Sequence, residues 1–491
     1  MAAQENLAQT ESAASLAARI RRKSVSPVEV VDAAIARIEE HNPKINALII
    51  FGYEDARKAA KQAEAAVMRG DPLGPFHGVP MAMKDCFDFK PGWVTTFGGI
   101  RALQNYVVNF SCMFVERMEK AGAIFVGKTN SPVFGFRGTC DNYLYGPSKN
   151  PFDLTKNTGG SSGGSAGAVA AGLLPLCEGT DGGGSIRIPS AWCGVFGYKP
   201  SFGRVPLVTR PDGFNGMTPF IFEGPISRTV EDSALAMASL AGYDSRDPYA
   251  LNDTVDFKAA LKTSIVGKKI AYTRDYGIFP VDKRVTAVVD KAVRAFEEAG
   301  AHVEEVTPDI RRSHMELSDL WCRFIAPRQV AALEGFKKEG IDLARDHRGD
   351  FPPEFWYWDE IGRQITVTQY LADQAVRTEV FDALRTILDR YDYLVAPTLS
   401  CLPVDNASDG NTLGPAEVEG QRINRLIGWC MTFLINYIGY PAASVPAGLS
   451  ENGLPVGMQI VGRRYADFDV IAASAAFEKV RPWMKTYEQC K

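Results

Sequence analysis

The sequence predicts an α/β protein with a large central mixed β-sheet covered by helices on both faces, and three observations carry that expectation. Short apolar runs that stop abruptly, among them Gly78 to Lys84, Ala123-Ile124-Phe125-Val126 and Tyr393-Leu394-Val395-Ala396-Pro397, read as buried strands. Between residues 269 and 303 strand and helix alternate, the rhythm that lays helices over a sheet. Near the end, Ala443-Ser444-Val445-Pro446 and Leu454 to Val461 flank Asn452-Gly453, a strong short hairpin signal that adds an antiparallel pair.

Taken in order, Ser26-Pro27-Val28-Glu29 opens a helix, with Ser26 as cap, Pro27 at the first helical position and Glu29 closing a capping box. Val30, Val31, Ala34, Ile35 and Ile38 form its apolar stripe, and Asn42-Pro43 is expected to end it. A second helix covers about Tyr53 to Met68. Cys112 to Lys120 is helical and stops at Gly122. Lys269-Ile270-Ala271-Tyr272 is a strand; Asp282 caps a helix carrying Val285, Val288, Val289, Ala292 and Phe296 on one face; Gly300 ends it before a strand at His302-Val303. From about 312 to 390 the pattern is mostly helical. Phe351-Pro352-Pro353-Glu354-Phe355-Trp356-Tyr357-Trp358 interrupts it with aromatics that suit a substrate entrance, a dimer contact or core packing under a loop. The last helix spans about Asp467 to Val480. No repeat, low-complexity tract or linker divides residues 1–491, which read as one domain with an N-terminal helical layer over about 1–70 and a mostly helical insertion over about 312–390.

Composition narrows the function. With 46% hydrophobic and 23% charged residues the chain can bury a large core. A net charge of −4 without a basic block gives no footprint for nucleic acid or an anionic membrane. Met1 to Ser15 is polar, with Glu5 and Glu11, and lacks the pattern of a signal peptide; no apolar run is long enough to span a membrane, so a cytoplasmic protein is expected. The nine cysteines include no CxxC pair and read as reduced thiols, and Cys86, Cys177 and Cys193 as packing residues.

Two glycine-crowded loops hold the chemistry: Thr158-Gly159-Gly160-Ser161-Ser162-Gly163-Gly164-Ser165 and Gly179-Thr180-Asp181-Gly182-Gly183-Gly184-Ser185-Ile186-Arg187. Such loops cost backbone entropy and repay it through exposed N–H groups and close approach to a ligand. Gly122 to Thr129 matches the letter of a phosphate loop, but a helix precedes it, a strand lies inside it and Asn130-Ser131-Pro132 follows, so it cannot aim N–H groups at phosphates. Of the histidines, only His77 is near the candidate strand that carries Lys84; there is no GxSxG elbow, HExxH or carboxylate-histidine cluster, which argues against histidine and metal chemistry. A serine activated by lysine remains. Lys84 at the end of an apolar strand is the base, since burial favours the neutral amine; Ser185 is the nucleophile; neighbouring glycine N–H groups meet the oxyanion, and the short helix after Ser185 favours the same charge.

The two loops together with Lys84-Asp85, Gly127-Lys128-Thr129-Asn130, Gly439-Tyr440-Pro441-Ala442 and Leu454-Pro455-Val456-Gly457 resemble the amidase signature family over about Ser26 to Val480. The resemblance implies that family's fold and a Ser-cisSer-Lys triad: Ser185 as nucleophile, Ser161 after a cis peptide at Gly160 as relay, and Lys84 as base, with an acyl-enzyme on Ser185. The interval between Ser161 and Ser185 matches the family's. It further implies an oxyanion hole at Gly182, Gly183 and Gly184, support from Ser162, Asp181 and Arg187, and a substrate wall at Phe134, Gly135 and Phe136, here aromatic and uncharged. Gly182 departs from the family's Thr or small apolar residue, which predicts a looser loop or a roomier acyl pocket. No metal or cofactor is implied. The expected activity is hydrolysis of apolar or aromatic amides, extending to anilides, carbamates or esters. The expected partner is a small-molecule amide, with no nucleic acid or membrane, and a homodimer is left open. The alternatives are the glutaminase subunit of a tRNA-dependent amidotransferase and a catalytically silent binding protein of the same fold.

Overall fold

A computed structural model of the chain describes residues 11–214 and 221–491. The first ten residues of the polar N-terminal stretch lie outside the described residues. Helices α1 (Ala13–Arg21), α2 (Pro27–Ile45) and α3 (Tyr53–Arg69) form the N-terminal layer. Ser26 and Glu29 close the capping box of α2 as expected. This helix continues past Pro43 to Ile45, whereas Asn42-Pro43 was expected to end it. Asn42 makes the extension workable: its side chain accepts from the N–H groups of Ala47 and Leu48, and Asn46 takes the left-handed conformation that closes the helix.

Eleven strands form one mixed sheet: β1 (Leu48–Phe51), β2 (Pro80–Lys84), β3 (Ile124–Thr129), β4 (Leu176–Asp181), β5 (Phe196–Lys199), β6 (Phe222–Ser227), β7 (Lys269–Tyr272), β8 (His302–Glu305), β9 (Tyr393–Pro397), β10 (Ala442–Leu449) and β11 (Pro455–Gly462). Their order is β1-β3-β2-β4-β6-β5-β10-β11-β9-β7-β8. β2 runs parallel to both β3 and β4, which brings the ends of the Lys84 strand and the Asp181 strand together. β10 and β11 are the antiparallel hairpin around Asn452-Gly453. Because Ile124–Thr129 is strand throughout, the phosphate-loop match is a sheet segment, and Lys128 pairs with Asp85 instead of a ligand.

Strand alternation divides the core into two faces. Met81 and Met83 of β2, Phe125, Ile270 and Val395 pack on one side with α1 and with later helices carrying Met237, Val289 and Ile471. Ala82, Val126 and Cys177 face the opposite way, against α2 and the helix α4 (Gly163–Ala170) that leaves the first glycine loop. Lys84 and Asp181 continue those alternations from Ala82 and Cys177. Further along, Ala271, Leu394 and Ala396 pack with the helical stretch beyond 312. That stretch contains α5 (His314–Lys338), α6 (Pro353–Gln364) and α7 (Val367–Leu388). Its aromatic run is largely core: Phe351, Phe355 and Trp356 are buried, and only Tyr357 is well exposed. Among the described residues no helix is long and apolar enough to cross a membrane.

Candidate active site

Lys84 is fully buried at the end of β2, and its amine contacts two hydroxyls: Ser161 Oγ at 2.7 Å and Thr180 Oγ1 at 2.6 Å. Its backbone N–H donates to Glu178 at 2.8 Å. Burial first, and the charge of Asp88 second, push the Glu178 carboxyl well above the usual range, which favours its neutral form. Lys128, one strand over, contrasts sharply. It is equally buried but forms an ion pair with Asp85 at 3.1 Å, and Asp85 is further held by Thr95 and Thr96. Two lysines at neighbouring strand ends thus have different partners, hydroxyls for one and a carboxylate for the other.

Ser161 follows a cis peptide bond at Gly160, as the family resemblance implies. The Gly160 N–H donates to Gly138 O, and Asn157 accepts from the Gly159 N–H, fixing the loop just before Ser161. Gly135 sits against it in the left-handed region at φ +65°; a Cβ there would lie 3.1 Å from Ser161 Oγ and 3.5 Å from Cys86 Sγ. Only glycine lets that segment approach so closely.

The second loop is built around Asp181. Its carboxylate accepts from the N–H groups of Gly184 (2.7 Å) and Ile186 (3.3 Å), from Arg187 on two atoms at 3.0 Å each, and from Asn436 at 2.8 Å. Burial alone would push this carboxyl up; Arg187, by charge and by hydrogen bonds, more than offsets it and holds the group below its ordinary value. Arg187 is wholly buried and also donates to Thr432 O and to Gln459 and Asn436. Ser162 binds the two loops together: its N–H donates to Ser185 O, and its hydroxyl lies within hydrogen-bonding distance of both Thr180 O and Thr180 N.

Gly182 does not make the loop slack. Trp321 of α5 donates its indole N–H to Gly182 O at 3.0 Å, and Thr432 donates to Gly183 O at 2.6 Å. Gly184 is at φ +129°, where a Cβ would meet Thr432 Oγ1 at 1.9 Å, so side chains are excluded there. Its N–H is occupied by Asp181. Of the three expected oxyanion donors, Gly184 is therefore a structural member of the Asp181 knot. The Gly183 N–H, across a trans peptide from the carbonyl that Trp321 holds, points away from the indole.

Lys84, Ser161, Thr180, Gly182 and Ser185 line one cavity of about 570 Å³. Phe134 and Gly135 are in its wall as expected. Phe136 is not: it is buried behind them against Phe355, at a ring separation of 5.7 Å. Phe351 and Phe355 likewise pack behind Phe134 with their rings tilted, at 6.0 and 6.1 Å. The rest of the wall was not anticipated. Phe87 lies parallel to Phe134, and α5 contributes Trp321, Ile325, Arg328, Gln329 and Ala332 from one helical face. Thr180 stood in the quoted loop without an assigned role, whereas the α5 residues carry no signal beyond ordinary amphipathic spacing. Cys86 also touches the cavity, but burial pushes its thiol up to about 12, which disfavours the thiolate. Among the described residues no histidine lines the cavity; His77 instead contacts Ala63 O.

The family described as Amidase matches residues 29–471. The chain belongs to the amidase family. An acylamidase of Rhodococcus erythropolis is 36% identical over 96% of each chain. A glutamyl-tRNA(Gln) amidotransferase subunit of Moorella thermoacetica is 33% identical over 94% of each. Among solved structures, a bacterial aryl acylamidase of the amidase signature enzymes superposes with a TM-score of 0.96 at 49% identity, covering 98% of both chains. The expected fold class is thus the observed one.

Proposed function

We propose that this amidase hydrolyses the C–N bond of apolar or aromatic amides, anilides included, through an acyl-enzyme on Ser185. The observation that carries the reading is the buried Lys84 amine 2.7 Å from Ser161 Oγ, in the same cavity as Ser185. Ser185 Oγ attacks the carbonyl carbon as its proton passes to Ser161 and Ser161's own proton passes to Lys84, acting as the base. The oxyanion is met by the N–H groups of Gly182 and Gly183. As the C–N bond breaks, the proton returns from Lys84 through Ser161 to the leaving nitrogen. Water then enters, gives its proton along the same relay, and releases the acid. Asp181, Arg187 and Ser162 position the nucleophile loop.

Substrate class follows from the wall. Phe87, Phe134, Trp321 and Ile325 offer apolar area to an aryl or alkyl group, and Arg210, Asp212, Arg328, Lys338 and Glu339 put charge elsewhere on the same lining. The similarity to an acylamidase and to an aryl acylamidase supports the same direction. We further read residues 1–491 as one catalytic domain of a cytoplasmic enzyme that acts on small molecules without nucleic acid or membrane. The test is a panel of amides, anilides, carbamates and glutamine offered to the purified chain. Turnover of the aromatic compounds is expected; rapid turnover of glutamine alone would favour the role of an amidotransferase glutaminase, and no turnover of any would favour a silent binding protein.

A further inference from the structure

Outside the cavity, three side chains from separate segments converge: Asp88 from the loop after β2, Cys112 at the start of the helix Met113–Lys120, and Glu223 of β6. Their ligand atoms all lie within 4.8 Å of one another. Asp88 is 0% and Glu223 4% exposed, and each ends in an oxygen, Asp88 Oδ2 and Glu223 Oε2, that has no hydrogen-bond partner among the described residues. Cys112 occupies the N-cap position, but its sulfur makes no capping bond and turns instead to Asp88 Oδ1 at 3.9 Å. The lysines whose charge Asp88 feels hold other partners, Lys84 the hydroxyls of Ser161 and Thr180, and Lys128 the carboxylate of Asp85. Arg117, whose charge Glu223 feels, donates to the carbonyls of Leu240 and Gly242. Carboxyl oxygens buried with neither a donor nor a cation are costly, and a set that converges on one point is satisfied at once by a bound cation.

We propose that Asp88, Cys112 and Glu223 form a site for a divalent ion of the zinc type, which pins the loop after β2 to β6 and to the helix Met113–Lys120. The donor set chooses the ion: a thiolate beside carboxylates suits zinc, whereas calcium and magnesium take oxygen alone. The 3.9 Å between Cys112 Sγ and Asp88 Oδ1 is close to the roughly 3.6 Å that zinc's bonds to sulfur and oxygen span at a tetrahedral angle. As the metal–sulfur bond forms, the thiol proton leaves to solvent, and three protein ligands leave one position for water. Cys112, at 9% exposure, is the side from which an ion enters. None of the three residues lines the cavity. Asp88 follows Lys84 on the same segment, and Glu223 stands opposite Thr180 in the β4–β6 register, so the ion braces the strands that carry the Lys84 amine and its Thr180 partner without touching substrate.

The experiment takes the full chain, purified without a metal-binding tag and stripped with a chelator, and titrates it with Zn²⁺, Co²⁺, Ca²⁺ or Mg²⁺. Zinc is expected to bind at one equivalent by calorimetry, more tightly than calcium or magnesium, and to raise the melting temperature. Cobalt should give a thiolate-to-metal charge-transfer band. Cys112→Ser should abolish that band and weaken zinc by about tenfold or more, and Asp88→Asn and Glu223→Gln should each weaken zinc by about as much. Cys490→Ser, which alters the least buried of the cysteines, should change neither reading. Circular dichroism checks that each variant is folded; where one is not, the stoichiometry and the cobalt band of the wild type decide. The proposal is overturned if the wild type binds no stoichiometric zinc, in which case protons pair these carboxyls, if calcium or magnesium binds more tightly, or if the cobalt band survives in Cys112→Ser. Amide turnover is not among the readings, so the outcome stands apart from the hydrolase reading.

Discussion

Asp181 at the floor of the cavity meets Arg187, Asn436 and two backbone N–H groups, whereas Gln329 on its wall meets no partner among the described residues. The floor is made from strand ends and glycine loops that hold one another from several directions: Ser162 spans the two loops, and Trp321 and Thr432 tie the carbonyls of Gly182 and Gly183. The wall is one face of a helix, backed by the tilted, closely packed rings of Phe134, Phe351 and Phe355. Chemistry demands fixed atoms, and the floor supplies them through redundant bonds. Substrate choice demands a surface that can be exchanged residue by residue, and a helical face supplies that. Within the floor, the two buried lysines repeat the lesson. Lys128 is locked to Asp85 and does structural work; the Lys84 amine instead hydrogen-bonds two hydroxyls.

Substitutions separate these roles. Replacing the base, Lys84→Ala, should cut kcat at neutral pH by about 10²–10⁴-fold, the usual worth of general base catalysis; retention of most of the rate would show that another group takes the proton. Arg187→Leu leaves the Asp181 carboxylate buried and unpaired, and should cost about 3–5 kcal/mol in urea unfolding. A small loss there would mean that the floor is not held by this knot. On the wall, Phe134→Ala should lower kcat/KM for aryl amides by roughly 10- to 100-fold while a short aliphatic amide loses much less. Equal losses for both would make Phe134 part of the framework.

A control lies away from floor and wall. Burial pushes the Glu478 carboxyl up to about 7 from its usual 4.5, where it accepts from the Val230 N–H at 3.3 Å. A group raised in the folded state contributes stability that is complete below 4.5 and lost as the pH rises through 7. Glu478→Gln should therefore flatten the fall of the melting temperature across that window and leave turnover unchanged. An undiminished slope would assign the pH dependence to other carboxyls.

Much of the floor was legible in the sequence because its requirements are local. A strand ending on lysine and glycines crowded around serine are unusual enough to be noticed, and the family resemblance linked them across about 100 residues of chain. Boundaries set by side-chain capping were less so: α2 passes Pro43 because Asn42 supplies the missing partners. Phe136 and Gly184 were assigned to the cavity because the family resemblance implied it, yet one turns toward Phe355 and the other's N–H toward Asp181. The α5 wall could not be read at all. Its spacing is that of any amphipathic helix, and which surface Trp321 and Gln329 face is fixed only by packing against a loop far away in sequence.

The central claim is that Ser185 is the nucleophile of a relay through Ser161 to Lys84. Its most direct test is to treat the chain with a fluorophosphonate and locate the adduct by peptide mass mapping. One adduct on Ser185 is predicted, absent from Ser185→Ala and strongly slowed in Lys84→Ala. An adduct on another residue, or labelling of Ser185 at an unchanged rate without Lys84, would contradict it.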